Sequence, residues 1–199
     1  RGDGFYYYVN CEEDVGRVFG NEIGASFSVI AKDVKLQVAF KENRVLRYRL
    51  IGYEAREVKD KDFRNNAVDG GEIISGKSVT AIYELELARA ESAKASQESL
   101  GTVTVRFQNV ENNQWEEDAV AITGKIQEVV SPRENPYFYL GYCAATFAEI
   151  MRKSPYVKPT SIGQIEEYVK KIADELVLND QVKDLLKSIQ AYEKLNAKE

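Results

Sequence analysis

The sequence predicts an α+β protein in which an antiparallel β-sandwich is followed by a C-terminal three-helix cluster. Two changes in the spacing of apolar residues support this prediction: the spacing becomes two residues from Asp33 and becomes helical beyond Pro132. The third observation is an N-terminal strand-and-helix pattern that nothing downstream repeats. We therefore expect three regions, which cover residues 1–31, 32–131 and 132–199.

The first region combines an aromatic run with an amphipathic stripe. Phe5 to Val9 reads Phe-Tyr-Tyr-Tyr-Val, which is typical of a strand covered on both faces. The apolar residues after it recur at helical spacing, and they are Val15, Val18, Phe19, Ile23, Phe27 and Ile30. One strand followed by one helix is a piece of an α/β layer, so we interpret residues 1–31 as the end of an α/β domain whose remainder precedes Arg1.

The second region has the period of β-strands. Alternating apolar and polar residues occupy 34–40, 45–53, 79–87 and 103–107, and a further strand or pair follows within 115–130. Asn112-Asn113 predicts a hairpin turn between the last two groups. Five or six antiparallel strands, each with one apolar face, bury those faces economically in a two-sheet sandwich. We expect residues 59–71 to form a polar connection and residues 88–99 a mobile hairpin loop.

The third region predicts three helices. Asn135 can cap the first, with Pro136 at its first position, and this helix should run to about Lys153. Ser161 and Gln164 have the spacing of a capping box at the start of the second. The apolar stripe of the third consists of Val182, Leu185, Leu186, Ile189 and Tyr192. Three helices with one stripe each suggest an antiparallel cluster that packs on itself or on the sandwich.

Composition excludes several classes of function. The chain has 199 residues, 44% of them hydrophobic, and a net charge of −5, and it lacks the basic block that a nucleic-acid binder needs. No histidine is present, so His-dependent hydrolases and zinc enzymes cannot be assembled from it. No apolar window reaches the roughly 18 residues of a membrane span. Cys11 and Cys143 are far apart, and we favour two packed thiols while leaving a bridge open.

Four separated strings resemble the C-terminal half of bacterial von Willebrand factor type A (VWA) proteins. In chain order they are GDGFYYY at 2–8, IAKDVKLQV at 30–38, YRLIGYE at 48–54, and GEI at 71–73 with SVTAIYE at 78–84. The resemblance implies that residues 1–31 are the last strand and helix of a VWA domain. It implies that the rest is the C-terminal region of unknown function that follows this domain in the family.

The resemblance also implies a divalent metal, but only for the absent part of the VWA domain. The family's Asp-x-Ser-x-Ser loop and its later Thr and Asp all precede the first residue of this chain. Members of the family carry His near the position of Lys77 and Asp-Ala-Gly-Glu where this chain has residues 69–72, and both differences weaken a catalytic interpretation of this loop. We expect no catalytic, cofactor-binding or metal-binding residue in this chain.

Five groups of residues resemble functional sites, and for each the sequence favours a structural interpretation. Arg1-Gly2-Asp3 matches an integrin-binding tripeptide but reads as a turn. A calcium group would use Asp60, Asp62, Asn65, Asp69 and Glu72, but the EF-hand spacing fails.

An anion pocket would use Arg44, Arg47, Arg49 and Arg56. A sugar-stacking platform would use Trp115, Tyr137, Phe138, Tyr139 and Tyr142. Glu84 and Glu86 should share one strand face, without a partner that would make a glycosidase.

We expect a non-enzymatic accessory region that supports protein–protein interaction or adhesion in the periplasm or at the cell surface. The location follows from the resemblance, because such VWA proteins are generally exported, although no targeting segment is present in this chain. The expected partners are the rest of the VWA domain, the N-terminal region of the same protein and an unknown protein. An exposed strand edge or the N-terminal helix would also permit a homodimer. The alternative is a carbohydrate-binding or glycan-processing module of the envelope.

Overall fold

The computed structural model describes residues 9, 12–17, 19, 28–52, 58–76, 78–88, 99–123, 131–158, 161–176 and 180–196. Within these ranges the protein is α+β, with two antiparallel sheets and three C-terminal helices, as the sequence predicts. The strands are β1 (Val29–Phe40), β2 (Val45–Leu50), β3 (Gly71–Ile74), β4 (Tyr83–Leu87), β5 (Gly101–Asn109) and β6 (Trp115–Ile122). The helices are α1 (Glu12–Arg17), α2 (Pro136–Met151), α3 (Ser161–Glu175) and α4 (Asp180–Asn196).

The chain divides into two compact units. The first comprises residues 1–41, 58–79 and 98–123, and the second comprises residues 42–57, 80–97 and 124–199. The first therefore contains the four-stranded sheet, and the second contains the two-stranded sheet and the helices α2, α3 and α4.

The four-stranded sheet of the first unit has the order β3-β1-β5-β6, and every pair is antiparallel. Its β5–β6 hairpin turns at Asn112-Asn113, as predicted, and Asn113 adopts a φ of 56°. The backbone N–H of Asn109 donates to the carbonyl of Gln114 at 2.9 Å and closes this turn. The prediction of the hairpin is thus confirmed. Its physical reason is that Asn is one of the few residues that tolerate a positive φ.

Strand β1 is irregular at Asp33, which has a φ of 48°. The register of β1 with β3 shifts between Ala31 and Val34, and its register with β5 shifts between Lys32 and Lys35. The Asp33 carboxylate accepts a hydrogen bond from the backbone N–H of Gly70 at 3.1 Å. This bulge therefore brings the end of the 58–69 loop against the backbone of β1.

The second unit combines the β2–β4 pair with a helical core. Strand β2 pairs with β4 so that Arg49 lies opposite Glu84 and Tyr48 opposite Leu85. The helices contribute a contiguous buried cluster whose members are Cys143, Phe147, Ile150, Ile165, Val169, Ile172, Val182 and Ile189. These residues follow the stripes read from the sequence, so the prediction of three helices that pack on one another is confirmed.

The structure corrects several local predictions. Ile30 lies in β1, so the helical stripe does not extend to it. The N-terminal pattern is otherwise described only in α1, at Val9 and at Phe19; Phe5–Tyr8 and residues 20–27 lie outside the described residues. The sequence does not predict strand β3, because four residues are too few to show an alternating pattern. Asn135 occupies the N-cap of α2, but its side chain makes no capping hydrogen bond.

Other predictions lie outside the described residues or are not tested. Residues 89–98 of the expected mobile loop are not described. The boundaries at residues 31 and 131 and the packing of the sheets as a sandwich stay predictions. Among the helices that are described, none is both long and apolar enough to cross a membrane.

Gly70, which precedes β3, and Gly71, which begins it, should respond differently to an added side chain. A Cβ on Gly70 would lie 2.5 Å from the Asp33 carbonyl carbon, whereas a Cβ on Gly71 meets nothing within 4 Å. We predict that Gly70→Ala lowers the free energy of unfolding by about 1–3 kcal/mol, because backbone atoms must shift to admit the methyl group. Gly71→Ala is the matched control, with an expected change of less than about 1 kcal/mol. Urea denaturation measures both, and equal losses would contradict the close approach.

Candidate functional site

Three charged residues stand in a row across the four-stranded sheet. Lys35 of β1 lies opposite Arg106 of β5, and Arg106 lies opposite Glu117 of β6. Directly opposite residues of an antiparallel pair lie on the same face of the sheet. Lys35 is 2% exposed and Arg106 is 6% exposed. Two cations are therefore buried side by side, which is uncommon for Lys and Arg.

Arg106 has three different neighbours. Its Nε lies 3.2 Å from Oε1 of Glu117, and its Nη2 donates to Oδ1 of Asn66 at 2.7 Å. Its guanidinium carbon lies 3.8 Å from the centroid of the Trp115 ring. Nη1 is buried and has no hydrogen-bond partner in the described part of the chain. One of the guanidinium's two terminal nitrogens is thus unsatisfied.

Lys35 contacts the same loop and the same ring. Its Nζ donates to the backbone carbonyl of Asn65 at 2.7 Å and lies 6.0 Å from the Trp115 ring centroid. Asn65 is itself fixed by an Asx turn, because its side-chain oxygen accepts from the N–H of Ala67 at 3.0 Å. We call Lys35, Arg106 and Trp115 the cation cluster.

Arg64 joins the cation cluster at its solvent edge. Its side chain is 71% exposed, and its Nε and Nη2 donate to the Glu117 carboxylate at 2.9 and 2.8 Å. The hydrogen bond from Arg64 holds the pKa of Glu117 below its ordinary value. Glu117 is therefore a carboxylate shared between Arg64 and Arg106.

A second buried charge lies in the second unit, where β2 meets α2. Glu149 is 1% exposed, and its Oε2 accepts from Nη1 of Arg49 at 2.8 Å and from the hydroxyl of Ser154 at 2.8 Å. Arg49 also donates to Glu84 from Nη2 at 2.8 Å and stacks 4.5 Å from the Tyr156 ring centroid. Burial lowers the pKa of Arg49, but the hydrogen bonds to both glutamates outweigh this, so its pKa is raised.

An open cavity of about 760 Å³ lies beside this ion pair in the helical part of the second unit. It is lined by Ile150, Lys153, Ser154, Val157, Ile162, Tyr192, Glu193 and Asn196. Its walls are mainly apolar. Lys153 and Glu193 add one charge of each sign to the lining. An apolar hollow with charges of both signs suits an amphipathic ligand better than a purely apolar one.

The side chains considered for a calcium group make other contacts. The Asp60 side chain accepts from Gln37 at 3.0 Å, and the Asp62 side chain accepts from the Asn65 amide at 3.3 Å. The described residues contain no cluster of three or more acidic or cysteine side chains that could hold a metal ion. Asp60 thus joins the 58–69 loop to β1, and Asp62 makes its contact within the loop.

The arginines proposed for an anion pocket are divided between burial and ion pairs. Arg44 is 2% exposed, whereas the exposed Arg47 lies 3.4 Å from Glu86. Arg49 pairs with Glu84 and Glu149, as described above, and Arg56 lies outside the described residues. Glu84 and Glu86 do share one face of β4, as predicted, and each faces an arginine across the β2–β4 pair.

The aromatic platform separates into different environments. Trp115 belongs to the first unit, where the guanidinium of Arg106 stacks on its ring. Tyr139 and Tyr142 pack against the helical core. Tyr137 and Phe138 at the start of α2 are 71% and 53% exposed.

The remaining candidates are the N-terminal tripeptide and the two cysteines. Arg1-Gly2-Asp3 and Cys11 lie outside the described residues. Cys143 is a free, buried thiol, and burial raises its pKa to about 12. This agrees with the prediction of a packed thiol at Cys143, and the prediction for Cys11 is not tested.

The fold and the site define an α+β module in which buried charged side chains contact groups of its own strands, loop and helices. A model of the family described as "Uncharacterized protein YfbK, C-terminal" matches residues 25–194, so the chain belongs to this family. It is similar to "Uncharacterized protein YfbK" of Escherichia coli (strain K12), with 27% identity over 190 residues that cover 87% of this chain and 32% of that protein. The chain thus spans about a third of the length of this relative. No solved structure matches.

The buried Arg49–Glu149 pair should matter far more than the exposed pair two residues away. We predict that Arg49→Met lowers the free energy of unfolding by about 3–5 kcal/mol, because it leaves Glu149 buried without its counter-charge. Arg47→Met is the matched control; the Arg47 and Glu86 side chains are 82% and 56% exposed, so the expected loss is below about 1 kcal/mol.

Chemical denaturation of both variants measures this difference, with the slope of the transition checked for constancy. The double variant Arg49→Met/Glu149→Met should recover part of the loss, because no uncompensated charge stays buried. Equal effects of Arg47→Met and Arg49→Met would show that the buried pair has no special role.

Proposed function

We propose that this chain is a non-enzymatic accessory region of a bacterial VWA protein that supports protein–protein interaction or adhesion at the cell envelope. The observation that carries the proposal is the cavity of about 760 Å³ in the helical part of the second unit. This volume lies in the range of small-ligand pockets, and it is also large enough for one or two side chains of a protein partner. The proposed occupant is an amphipathic segment of another protein.

The lining of the cavity supports this choice of occupant. Ile150, Val157 and Ile162 offer an aliphatic surface, which is what an apolar anchor residue of a partner requires. Lys153 and Glu193 can then pair with an acidic and a basic residue that flank the anchor. A partner with both signs of charge would satisfy the two groups together.

The contacts of the Glu149 and Glu117 carboxylates support a non-enzymatic role. Glu149 is bound by Arg49 and Ser154, and Glu117 is bound by Arg64 and Arg106. A general acid or base must instead reach a substrate, either directly or through one water molecule. Oε1 of Glu149 is buried without a hydrogen-bond partner in the described part of the chain, but the other oxygen of this carboxylate and both oxygens of Glu117 contact side chains of their own units, which supports a role in packing.

The proposed parent protein follows from the resemblance described for the sequence. In it, residues 1–31 complete a VWA domain, whose absent part would hold a divalent metal, and the two sheets pack as a sandwich. The rest of the VWA domain and the N-terminal region of the same protein are then intramolecular partners. We place this protein in the periplasm or at the cell surface.

Site-specific photo-cross-linking tests the cavity in the full-length protein expressed in its host. We predict that benzoylphenylalanine at Val157 yields a discrete protein adduct and that the same probe at Lys187 does not. The Lys187 side chain is 75% exposed on α4 and serves as the matched control. A charge in the aliphatic wall, introduced by Ile162→Glu, should weaken binding about tenfold or more and remove the adduct, because its desolvation opposes docking.

Circular dichroism shows whether Ile162→Glu is still folded. Mass spectrometry identifies the adduct, including a second copy of this chain. Adducts of equal yield from positions 157 and 187, or adducts that persist in folded Ile162→Glu, would contradict the cavity as the docking site.

A carbohydrate-binding module is the second candidate, and the exposed Tyr137-Phe138 pair favours it. Adjacent exposed aromatic rings can stack on sugar faces. We predict that a glycan array shows no saturable binding by the wild-type chain. Under the carbohydrate alternative, the wild type would bind, Tyr137→Ala would lose binding, and Tyr137→Phe, which keeps the ring, would retain it. That pattern would replace the protein-interaction proposal.

A further inference from the structure

We propose that the cation cluster of Lys35, Arg106 and Trp115 is a binding site for one small oxyanion group, such as inorganic phosphate or a carboxylate. The site lies on the sheet face that the 58–69 loop covers, within the first unit. The inference does not depend on the proposed function, which is carried by a cavity in the second unit.

The balance of charge is the first argument. Lys35, Arg106 and Arg64 are three cations, and Glu117 is the one carboxylate that the described contacts bring to them. In the loop, the Asp60 carboxylate accepts a hydrogen bond from Gln37, and the Asp62 carboxylate accepts one from Asn65. Burying a cation without a counter-charge is costly, so the cluster carries positive charge that an anion would neutralise.

The unsatisfied nitrogen is the second argument. Nη1 of Arg106 is a fully buried donor without a partner among the described residues, whereas Nε and Nη2 of the same guanidinium are engaged. An oxyanion supplies both the acceptor and the negative charge, and a water molecule supplies only the acceptor. Lys35 lies opposite Arg106 in the strand register and can add a second donor.

The surroundings specify the size of the ligand. The Trp115 ring lies under both cations, at 3.8 Å from the Arg106 guanidinium carbon and 6.0 Å from Lys35 Nζ. The loop backbone at Asn65 and the Asn66 amide close the cluster from the other side. Because the ring and the loop enclose the cluster, we expect it to admit only a group the size of phosphate or acetate, and to do so by a displacement of the loop. Arg64 at the solvent edge would attract the anion toward the cluster.

Trp115 supplies a direct measurement, because it is the only tryptophan in the chain. The experiment titrates the full chain with phosphate, and separately with acetate, at constant ionic strength balanced with chloride, and follows tryptophan fluorescence. We predict a saturable change with at least one of the two oxyanions and none with chloride. Saturation by phosphate alone assigns a free inorganic oxyanion, and saturation by acetate assigns a carboxylate.

Three variants show whether the change comes from this cluster. Arg106→Gln should weaken binding about tenfold or more, because it removes a charged donor. Glu117→Gln should strengthen it severalfold, because it removes the competing carboxylate and leaves the cations in place. The control is Glu116→Gln; Glu116 is the adjacent residue of β6, points to the opposite face, and accepts from the Asn109 amide at 2.8 Å.

Opposite results overturn the proposal. A response that is linear in each salt, or one that is equal in wild type and folded Arg106→Gln, would show that no site exists at this cluster. If Arg106→Gln does not fold, Glu117→Gln decides the question, because an affinity no higher than that of Glu116→Gln would also exclude the site.

Discussion

The ion pair between Arg49 and Glu149 is the contact on which the architecture of the second unit depends. The two residues are separated by 100 positions, and Nη1 of Arg49 donates to Oε2 of Glu149 at 2.8 Å. A two-stranded sheet is marginally stable by itself, and it needs another element against which to pack. Arg49 provides this connection because one guanidinium holds Glu84 within the sheet and Glu149 on α2 at the same time.

Both units bury charge where a pattern of alternating residues would place it in solvent. In the first unit, Lys35 and Arg106 occupy the polar positions of β1 and β5, but the 58–69 loop covers that face. The apolar face of the same strands includes Leu36, which is 48% exposed. At Lys35 and Arg106 the charged face of the sheet is thus more buried than the apolar face is at Leu36. The loop makes this possible by presenting its backbone and Asn side chains as acceptors.

Much of the fold could be predicted because local periodicity is preserved. The alternation in β1, β5 and β6 and the stripes of α2, α3 and α4 record which residues are buried, and these elements appear where expected. Glu84 and Glu86 share a face because side chains alternate along a strand. The four residues of β3 are too few to show a period. Ile30 has the spacing of the preceding helical stripe by chance, although it belongs to a strand that begins at Val29.

The candidate sites were harder to predict because their partners are distant in sequence. Nothing near Glu149 indicates that an arginine 100 positions earlier will neutralise it. The burial of Lys35 depends on Asn65, which lies 30 positions later in a loop that reads as a solvated connection. The register irregularity at Asp33 and the close approach of Gly70 place that loop, and neither has a periodic signal. The Asp-Asn-rich loop nevertheless had one informative feature, because Asn65 is a residue type that forms Asx turns and does so here with the N–H of Ala67.

The separation of charge between β2 and β4 has a consequence for self-association. Strand β2 carries Arg47 and Arg49, and strand β4 carries Glu84 and Glu86 on the corresponding face. Two copies that met through the same strand would juxtapose like charges, which opposes a symmetric edge-to-edge dimer. Opposite charges would meet only if β2 of one copy lay beside β4 of another. Repeating this contact adds further copies in a row and forms an open filament instead of a closed dimer. The charge pattern thus selects against twofold aggregation of this sheet.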